Sequence, residues 1–298
     1  MKKIIAVSGG PDSMYLLYTL LEKYDNKDLI VATLDYKKRI ESVNEVKKVI
    51  NFCKQNKIKI HILNCSSRIY KKYNDINNFQ YKARIMRYDF FFKLADKYQT
   101  NEIYLGHNKD DFIETAIINK NRSDNYFFYG IKEINYIRKY KIIRPLLNLW
   151  KKDIQDLCNK YNIPYSIDSS NLEKKYIRNK IRIENNSLKN KLDQFNYFTN
   201  LNLNLESNYK KVDNTLTNWI DKEYSIKFYR ENVSEKFSTN LLYLYLIRNL
   251  IDIKISSNKL LFLDKYIRAF NNESKMYQIN DKYSIAKKDK KILIRRMY

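Results

Sequence analysis

The sequence is poor in glycine, proline and cysteine, and it has no long apolar run. Its 298 residues include four glycines, three prolines and three cysteines. No stretch of about 18 uncharged apolar residues exists, so we expect no transmembrane helix. The N-terminal apolar segment is shorter than a signal peptide needs. Cys53, Cys65 and Cys158 are widely spaced, which argues against a disulfide framework or a cysteine metal site and favours buried thiols in a reducing cytoplasm.

Acidic residues are also scarce relative to basic ones. The chain has 57 Lys and Arg against 33 Asp and Glu, a net charge of +24. Residues 1–189 hold 37 basic and 21 acidic side chains, and residues 190–298 hold 20 and 12. Such an excess attracts polyanions, nucleic acid above all. AT-rich codon usage would also enrich lysine, together with Asn, Ile and Tyr, so composition alone leaves both explanations open.

Two of the four glycines and one proline stand together in AVSGGPDSMYLL, residues 6–17. The pattern predicts a buried strand at 3–7 and a helix at 13–24, so the glycines fall in a strand-to-helix turn. Glycine lets the backbone approach a ligand closely, and the N-terminus of a helix attracts anions. We therefore expect a phosphate site in this turn. An ordinary tight turn is the alternative.

Strand and helix patterns alternate along the first part of the chain. Strands are predicted at 3–7, 28–35, 58–63 and 102–106, with a last short one in IPYSID (163–168); helices are predicted at 13–24, 41–56, 81–98, 110–120 and 151–161. This alternation predicts an α/β fold, Rossmann-like, with a parallel sheet and helices on both faces. Ligands of such sheets bind beyond the carboxyl ends of the strands.

The alternation weakens after about residue 145, and a domain boundary is predicted near residue 189. Residues 190–298 contain no glycine or proline and look mostly helical, with short strand patterns near 276–286 and 291–295. The segment 287–296 holds six basic residues in ten. We expect a catalytic domain over 1–189 and a smaller, basic, mostly α-helical domain over 190–298.

Several motifs together resemble one enzyme family. SGGPDS resembles the S-G-G-x-D-S signature of PP-loop ATP pyrophosphatases, whereas the Walker and dinucleotide patterns are absent. Six further segments resemble, in the same order, motifs of the tRNA(Ile)-lysidine synthases: LDYKKRIES (34–42), ARIMRY (83–88), GHNKDDFIETAI (106–117), RPLL (144–147), DSSN (168–171) and RNKIR (178–182). In the first of these, Tyr36 replaces the usual histidine. The motifs cover most of residues 1–182.

The resemblance implies a cytoplasmic ligase that uses ATP and Mg²⁺. Such an enzyme joins free L-lysine to C2 of the wobble cytidine, position 34, of tRNA(Ile) with a CAU anticodon. The base is first adenylated with loss of pyrophosphate, and lysine then displaces AMP to form lysidine, which changes codon specificity from AUG to AUA. The chain resembles the short form of the family, in which the C-terminal domain would bind tRNA. We expect no membrane partner, and the oligomeric state stays open, a homodimer included.

The same resemblance implies roles for individual residues. ATP pyrophosphate is expected at Ser8, Gly9, Gly10, Pro11, Asp12 and Ser13, with Asp12 as the Mg²⁺ ligand. The catalytic residues are expected to be Asp35, His107, Asp111, Glu114 and Arg178. Contacts with lysine or tRNA are expected at Arg39, Arg84, Arg87, Asp110 and Arg182. How metal and lysine binding divide among the carboxylates of Asp12, Asp35, Asp110, Asp111 and Glu114 stays open. His61 is expected to be a core residue.

Other interpretations remain open at this point. A tRNA thiolase with a PP-loop would need paired reactive cysteines, which the sequence lacks. A catalytically inert RNA-binding protein would not need the carboxylates, and a PP-loop enzyme for a small molecule would leave the basic C-terminal part unused. Asp110, Asp111 and Glu114 could simply complement a helix dipole, Arg84 and Arg87 could be a surface pair, and Asn171 and Asn179 could cap turns.

Overall fold

The fold is given by a computed structural model, which describes residues 1–37, 41–74, 76–122, 128–166, 181, 187–251, 253, 255–270 and 275–297. Contacts divide the chain into two compact units, Met1–Leu201 and Asn202–Tyr298. The predicted domain boundary near residue 189 stays a prediction.

The first unit is built on a six-stranded sheet. Its strands are β1 (Lys3–Ala6), β2 (Leu29–Asp35), β3 (Lys59–Asn64), β4 (Glu102–Tyr104), β5 (Ile134–Ile137) and β6 (Tyr140–Ile143). Its helices are α1 (Pro11–Lys23), α2 (Glu41–Gln55), α3 (Ser67–Lys71), α4 (Phe79–Lys97), α5 (Lys109–Arg122), α6 (Lys151–Lys160) and the first part of α7 (Leu188–Asp221). The sheet order is β3-β2-β1-β4-β6-β5, and every neighbouring pair is parallel except β5 and β6. The predicted α/β class is confirmed.

The central strands are continuous apolar runs in the sequence because both of their faces are buried in the hydrophobic core. Strands β1 and β2 both lie inside the sheet, and Ile5 and Val31, which are neighbours in the parallel register, are fully buried. Leu17 of α1 and Ile154 of α6 are buried in the same cluster. Fully burying such a side chain stabilises the fold by about 1.5–3 kcal/mol.

Two expectations about strands need correction. The hairpin of β5 and β6 was not predicted, since its two-residue turn at Arg138 and Lys139 contains no glycine or asparagine, although Arg138 has φ of +54°. The strand predicted in IPYSID is wrong for residues 163–166, which lie in no strand. Residues 167 and 168 lie outside the described residues.

The second unit is mostly helical, as predicted. It contains the rest of α7, then α8 (Ile226–Asn232), α9 (Glu235–Asn249), α10 (Ser257–Arg268), β7 (Tyr277–Gln278), β8 (Tyr283–Lys288) and β9 (Lys291–Arg296). The three strands form an antiparallel sheet. Trp219 is fully buried, with the rings of Tyr229 and Tyr245 at 5.0 and 5.1 Å. Helix α7 has 34 residues, but neither it nor another helix in the described ranges is apolar enough to cross a membrane.

Candidate active site

Three strands of the first unit bring predicted site residues to one edge of the sheet, and a fourth adds Arg144. Strands β1, β2, β4 and β6 run parallel, so their carboxyl ends lie on the same edge. The glycine loop follows β1, Asp35 ends β2, His107 follows β4, and Arg144 follows β6. This edge is where ligands of open α/β sheets bind.

Gly9 and Gly10 have different structural roles in the loop after β1. Gly9 has φ of +91°, and a Cβ there would lie 3.1 Å from the carbonyl oxygen of Glu45 on α2. Its lack of a side chain is therefore required by the backbone and by packing. Gly10 has an ordinary φ of −78° and caps α1 without a side-chain hydrogen bond. Because Gly10 has no side chain, the N-terminus of α1 stays open to a ligand.

Ser13 holds the loop in shape. Its hydroxyl accepts a hydrogen bond from the Ser8 amide at 3.1 Å and donates to the Gly10 carbonyl at 3.0 Å. The first α-helical hydrogen bond of α1 runs from the Met14 amide to Gly10 at 3.0 Å. The amides of Asp12 and Ser13 precede it, at the positive end of the helix dipole. Such a terminus, with a pre-shaped loop before it, suits a phosphate group.

Gly106 lets the segment after β4 press against the first turn of α1. A Cβ on Gly106 would lie 2.9 Å from the Asp12 carbonyl oxygen and 3.2 Å from the Ser13 amide nitrogen. The close approach also places Asn108 where its side-chain amide donates to Asp12 Oδ1 at 3.0 Å. Two loops from neighbouring strands are thus joined through one carboxylate.

Asp12 is an unusual carboxylate. Its pKa is raised to about 6, mainly by burial and also by the nearby carboxylates of Asp111 and Asp110, against the lowering effect of the Asn108 hydrogen bond and of Lys151. A desolvated carboxylate among other carboxylates is stabilised by a cation, so this residue fits the predicted Mg²⁺ site. Mg²⁺ in nucleotide sites takes one or two carboxylates with phosphate oxygens. Among the described residues, no three His, Cys, Asp or Glu side chains converge as a metal site.

Asn108 and Asp111 cap the N-terminus of α5 reciprocally. The Asp111 amide donates to Asn108 Oδ1 at 3.0 Å, and the Asn108 amide donates to Asp111 Oδ2 at 3.1 Å. Sequence reasoning missed Asn108, which is buried and contacts Asp12. The signal was available, because Asn followed three residues later by an acidic residue is typical of a helix cap.

Asp110 connects three helices of the first unit. Its Oδ2 accepts from the Lys151 amide at the start of α6 at 2.9 Å, and its Oδ1 forms an ion pair of 2.6 Å with Lys191 of α7. The side chain thus has a structural function whatever else it binds. Glu114, one turn further along α5, is 3 % exposed. Asp111 and Glu114 lie on one face of α5, three residues apart.

His107 contacts a buried arginine that follows the neighbouring strand. Arg144 Nε donates to His107 Nδ1 at 3.1 Å. Its Nη1 donates to the Lys132 carbonyl and to Asn135 Oδ1, both at 2.7 Å. Arg144 belongs to the RPLL motif, but no sequence pattern pairs it with His107, since 37 residues separate them.

Arg84 and Arg87 of α4 lie near the same edge. The Arg84 guanidinium stacks on the Tyr88 ring at 5.2 Å, and its Nε is buried with no hydrogen-bond partner among the described residues. Burial raises the pKa of the Tyr88 hydroxyl, but the guanidinium groups of Arg84, Arg144 and Arg87 outweigh burial and lower it. Three arginines therefore create a positive field around one phenol.

Tyr36, which replaces the family's usual histidine, has a packing role. Its hydroxyl donates to the Ala83 carbonyl of α4 at 3.3 Å, and its ring meets Phe79 edge-on at 5.9 Å. Burial raises its pKa to about 12, so it stays neutral. The preceding residue, Asp35, is 8 % exposed, and its Oδ1 accepts from the Lys37 amide at 2.8 Å.

The remaining predicted residues fall into two groups. Arg39, Asn171, Arg178, Asn179 and Arg182 lie outside the described residues. His61 lies in β3 as expected, but it is half-buried, and its Nε2 is 2.6 Å from the Tyr98 hydroxyl. It is therefore a structural residue at the sheet edge rather than a fully buried core residue.

The three cysteines are free, buried thiols, as predicted. Burial raises the pKa to about 12 for Cys53 and to about 11 for Cys65 and Cys158. Cys158 of α6 points toward the Pro11 carbonyl at 3.6 Å and so packs α6 against α1. At neutral pH these thiols are protonated and poorly nucleophilic.

Comparison with known proteins gives consistent matches over the whole chain. Residues 1–188 match a family model described as a PP-loop domain. The chain is 36% identical over 289 residues to the tRNA(Ile)-lysidine synthase of Ureaplasma parvum, covering 94% of this chain and 83% of the relative. It is 34% identical over 295 residues to that of Malacoplasma penetrans, covering 98% of each, and 34% identical over 298 residues to that of Mycoplasmopsis pulmonis, covering 98% and 99%.

Among solved structures, the chain resembles a U34-tRNA thiolase, NcsA from Methanococcus maripaludis with its [4Fe-4S] cluster. The TM-score is 0.54 at 18% identity, over 69% of this chain and 72% of the thiolase. At that identity the similarity concerns the fold alone.

Proposed function

This chain belongs to the tRNA(Ile)-lysidine synthase family of PP-loop ligases, enzymes that form a carbon–nitrogen bond, and we propose that it joins free L-lysine to C2 of cytidine 34 in tRNA(Ile) with a CAU anticodon. The product, lysidine, would change the codon read from AUG to AUA. The observation that carries the proposal is the hydrogen bond from the Asn108 side chain to Asp12, which joins the Gly9–Ser13 loop to the N-terminal cap of α5. It sets an anion-binding helix terminus beside a group of carboxylates.

In the first step, the cytosine O2 attacks the α-phosphorus of ATP, and the bond to pyrophosphate breaks. The amides at the start of α1 donate to the leaving pyrophosphate, in a loop that Ser13 already holds in shape. Bound through Asp12, Mg²⁺ would neutralise part of the charge on the phosphates. Preorganised donors of this kind stabilise charge that develops in the transition state without reorganisation.

In the second step, the lysine amine attacks C2 of the adenylated base and AMP leaves. The amine must lose a proton, and carboxylates at the sheet edge are suitable acceptors. We assign binding of the lysine ammonium to Asp35, Asp111 and Glu114. In this proposal Asp110, which accepts from the Lys151 amide and pairs with Lys191, holds α5, α6 and α7 together.

The arginines supply the contacts with tRNA and nucleotide phosphates. Arg84 carries a buried Nε that has no partner within the described ranges, and an incoming phosphate oxygen would satisfy it. Arg87 is exposed on the same helix. Guanidinium groups suit phosphates because their donors match two oxygens at once. Arg39, Arg178 and Arg182 keep their predicted roles in this proposal.

A tRNA thiolase is the second candidate, since a protein of that name shares the fold. Thiolase chemistry needs a reactive thiolate or a cysteine-bound cluster. Here burial raises the pKa of all three thiols to about 11 or 12. The carboxylates on α5, of which Glu114 is buried, by contrast suit an ammonium substrate. The side chains therefore favour lysine over sulfur transfer.

The proposal is tested by incubating purified protein with ATP, Mg²⁺, labelled lysine and a tRNA(Ile) transcript. We expect label to enter the anticodon loop and one AMP to be released for each lysine incorporated. A tRNA(Met) transcript with the same anticodon is the control substrate. ATP consumption that depends on cysteine but not on lysine would contradict the proposal.

A matched pair of variants tests the carboxylate assignment in the same assay. Glu114→Gln, which keeps the size of a buried side chain, should abolish lysidine formation while tRNA binding survives. Glu22→Gln on α1 removes an equal charge outside the proposed site and should leave both unchanged. Normal modification by Glu114→Gln would refute the role given to that residue.

A further inference from the structure

The contact between His107 and Arg144 determines which ring nitrogen of His107 carries a proton. Arg144 is 5 % exposed and is fixed by Nη1 contacts to the Lys132 carbonyl and to Asn135 Oδ1. The same guanidinium directs its Nε at His107 Nδ1 at 3.1 Å. Every nitrogen of a guanidinium is a donor and none is an acceptor. His107 Nδ1 must therefore accept, which requires a lone pair on that nitrogen.

A histidine whose Nδ1 accepts carries its proton on Nε2 when the ring is neutral. If the ring also gained a proton on Nδ1, two N–H groups would face each other across the contact, in addition to two positive charges. The neutral Nε2–H tautomer is thus the form that this arrangement stabilises.

We propose that Arg144 is a positioning residue that fixes His107 as the neutral Nε2–H tautomer, so that His107 donates a hydrogen bond from Nε2 to an oxygen that gains negative charge. The inference rests on the function proposed above and adds to it a role for Arg144 and His107. The receiving oxygen belongs to the phosphates or to the adenylated base. His107 accepts no proton in this scheme, so the proton of the lysine amine passes to a carboxylate.

The hairpin of β5 and β6 explains why the guanidinium is held so firmly. Strand β6 lies next to β4, with Ile143 opposite Tyr104, so the residues that follow the two strands meet at the sheet edge. The Arg144 amide donates to the Glu133 carbonyl at 2.9 Å, and Asn135 belongs to β5. The hairpin is the element that orients Arg144 and, through it, His107.

The tautomer can be measured directly, because the chain contains only two histidines. In protein labelled with ¹⁵N-histidine at neutral pH, we expect His107 Nδ1 to give the shift of an unprotonated nitrogen and Nε2 that of an N–H nitrogen. The variant His61→Gln leaves one histidine and assigns the signals. A proton on His107 Nδ1 would overturn the proposal, and this test does not depend on making any Arg144 variant.

A double-mutant cycle tests the functional part. Arg144→Lys keeps the charge but loses the planar guanidinium with its fixed donors. We expect it to lower kcat for AMP release about 10- to 100-fold, by analogy with the loss of groups that orient metal-bound histidines. KM for ATP should change little. In a His107→Gln background, Arg144→Lys should lower kcat for AMP release by less than about threefold, since no imidazole remains to be oriented. If Arg144→Lys lowers kcat by the same factor with His107 present and with His107→Gln, the positioning role is refuted.

The two proposals fail in different ways. If wild-type protein transfers no lysine but His107 has the expected tautomer, the proposed function is wrong. Arg144 then still fixes the tautomer of His107, but without a role in lysidine formation. If lysidine forms and His107 Nδ1 carries the proton, the proposed function survives and the role of Arg144 is refuted.

Discussion

Asp12 lies where the loop after β1, the start of α1 and the cap of α5 meet. Its Oδ1 accepts from the Asn108 amide group, while Asp111 and Asp110 add negative charge nearby. The carboxylate therefore costs stability when it is ionised and becomes favourable when a cation binds. A residue of this kind is expected at a functional site rather than in a core selected for stability alone.

The raised pKa of Asp12 predicts a pH dependence of stability. A carboxyl group whose pKa is about 6 in the folded protein and near 3.8 when unfolded binds more protons in the folded state between these values. Its burial therefore costs about 3 kcal/mol above pH 6, and the cost shrinks as the pH falls from 6 toward 3.8. Without metal, Asp12→Asn should raise the free energy of unfolding at pH 8 by about 2–3 kcal/mol, and by much less at pH 4.

Chemical denaturation in EDTA at the two pH values measures this difference. Asp156→Asn, on the exposed face of α6, is the control for removal of one negative charge and should change stability little at either pH. An Asp12→Asn protein that is no more stable than wild type at pH 8 would show that the carboxylate is not desolvated as described.

Sequence motifs predicted many residues of the candidate site but few of the contacts between them. Gly9, Asp12 and His107 were found because they stand in local motifs, and a motif is a property of adjacent residues. The Arg144–His107 hydrogen bond and the Asn108–Asp12 hydrogen bond join segments that are 37 and 96 residues apart. Such pairs are determined by which strands are neighbours, and that order is not encoded in any local spacing.

At the scale of elements, the site depends on how closely β4 approaches α1. The segment after β4 can touch the first turn of α1 only because Gly106 has no side chain. The parallel pairing of β1 with β4 sets this distance. Strands β1 and β2 were predictable, since each is a short apolar run buried on both faces. The β5–β6 hairpin was not, because its turn lacks the residues that usually mark one.

Gly106→Ala should damage the site by displacing the loop. The added Cβ would lie 2.9 Å from the Asp12 carbonyl oxygen, closer than real side chains approach a carbonyl, so the two segments must separate. We expect a loss of about 1–3 kcal/mol in unfolding free energy and at least a tenfold loss of ATP-dependent activity.

Gly10→Ala is the matched comparison for stability. A Cβ there would meet only Ser8 Oγ at 3.8 Å, and φ is −78°, so the backbone accepts alanine. Thermal unfolding of the two variants should differ clearly, with Gly106→Ala melting at the lower temperature. If both melt together with wild type, the close packing of β4 on α1 is not a requirement of the fold.

At the scale of the whole molecule, the excess of basic residues is found in the second unit as well as in the first. The β8–β9 hairpin carries exposed basic side chains at Lys288, Lys290, Arg295 and Arg296. Its turn is tight, with φ of +51° at Asp289 and +60° at Lys290, so the charges are presented on an ordered element. Composition could predict a basic C-terminal region but not that these residues form a hairpin, since the strand patterns there are short.

The exposed hairpin predicts a salt-dependent contribution to tRNA affinity. We propose that Lys288 and Lys290 bind tRNA phosphates, because an exposed cation gains affinity for RNA mainly by releasing counterions. The double variant Lys288→Gln/Lys290→Gln should bind tRNA(Ile) more weakly at low salt. The slope of log affinity against log salt should become shallower by about 0.7–0.9 for each phosphate that the variant no longer neutralises.

Filter binding over a range of KCl concentrations measures both the affinity and the slope. Lys288→Arg/Lys290→Arg keeps both charges and should bind like wild type, because counterion release depends on charge rather than on the shape of the cation. An unchanged slope in the Gln variant would exclude the hairpin from the tRNA surface. A shallower slope with normal adenylation would separate tRNA binding from the chemistry at the sheet edge, since the hairpin then supplies affinity while the carboxylates and the glycine loop supply the reaction.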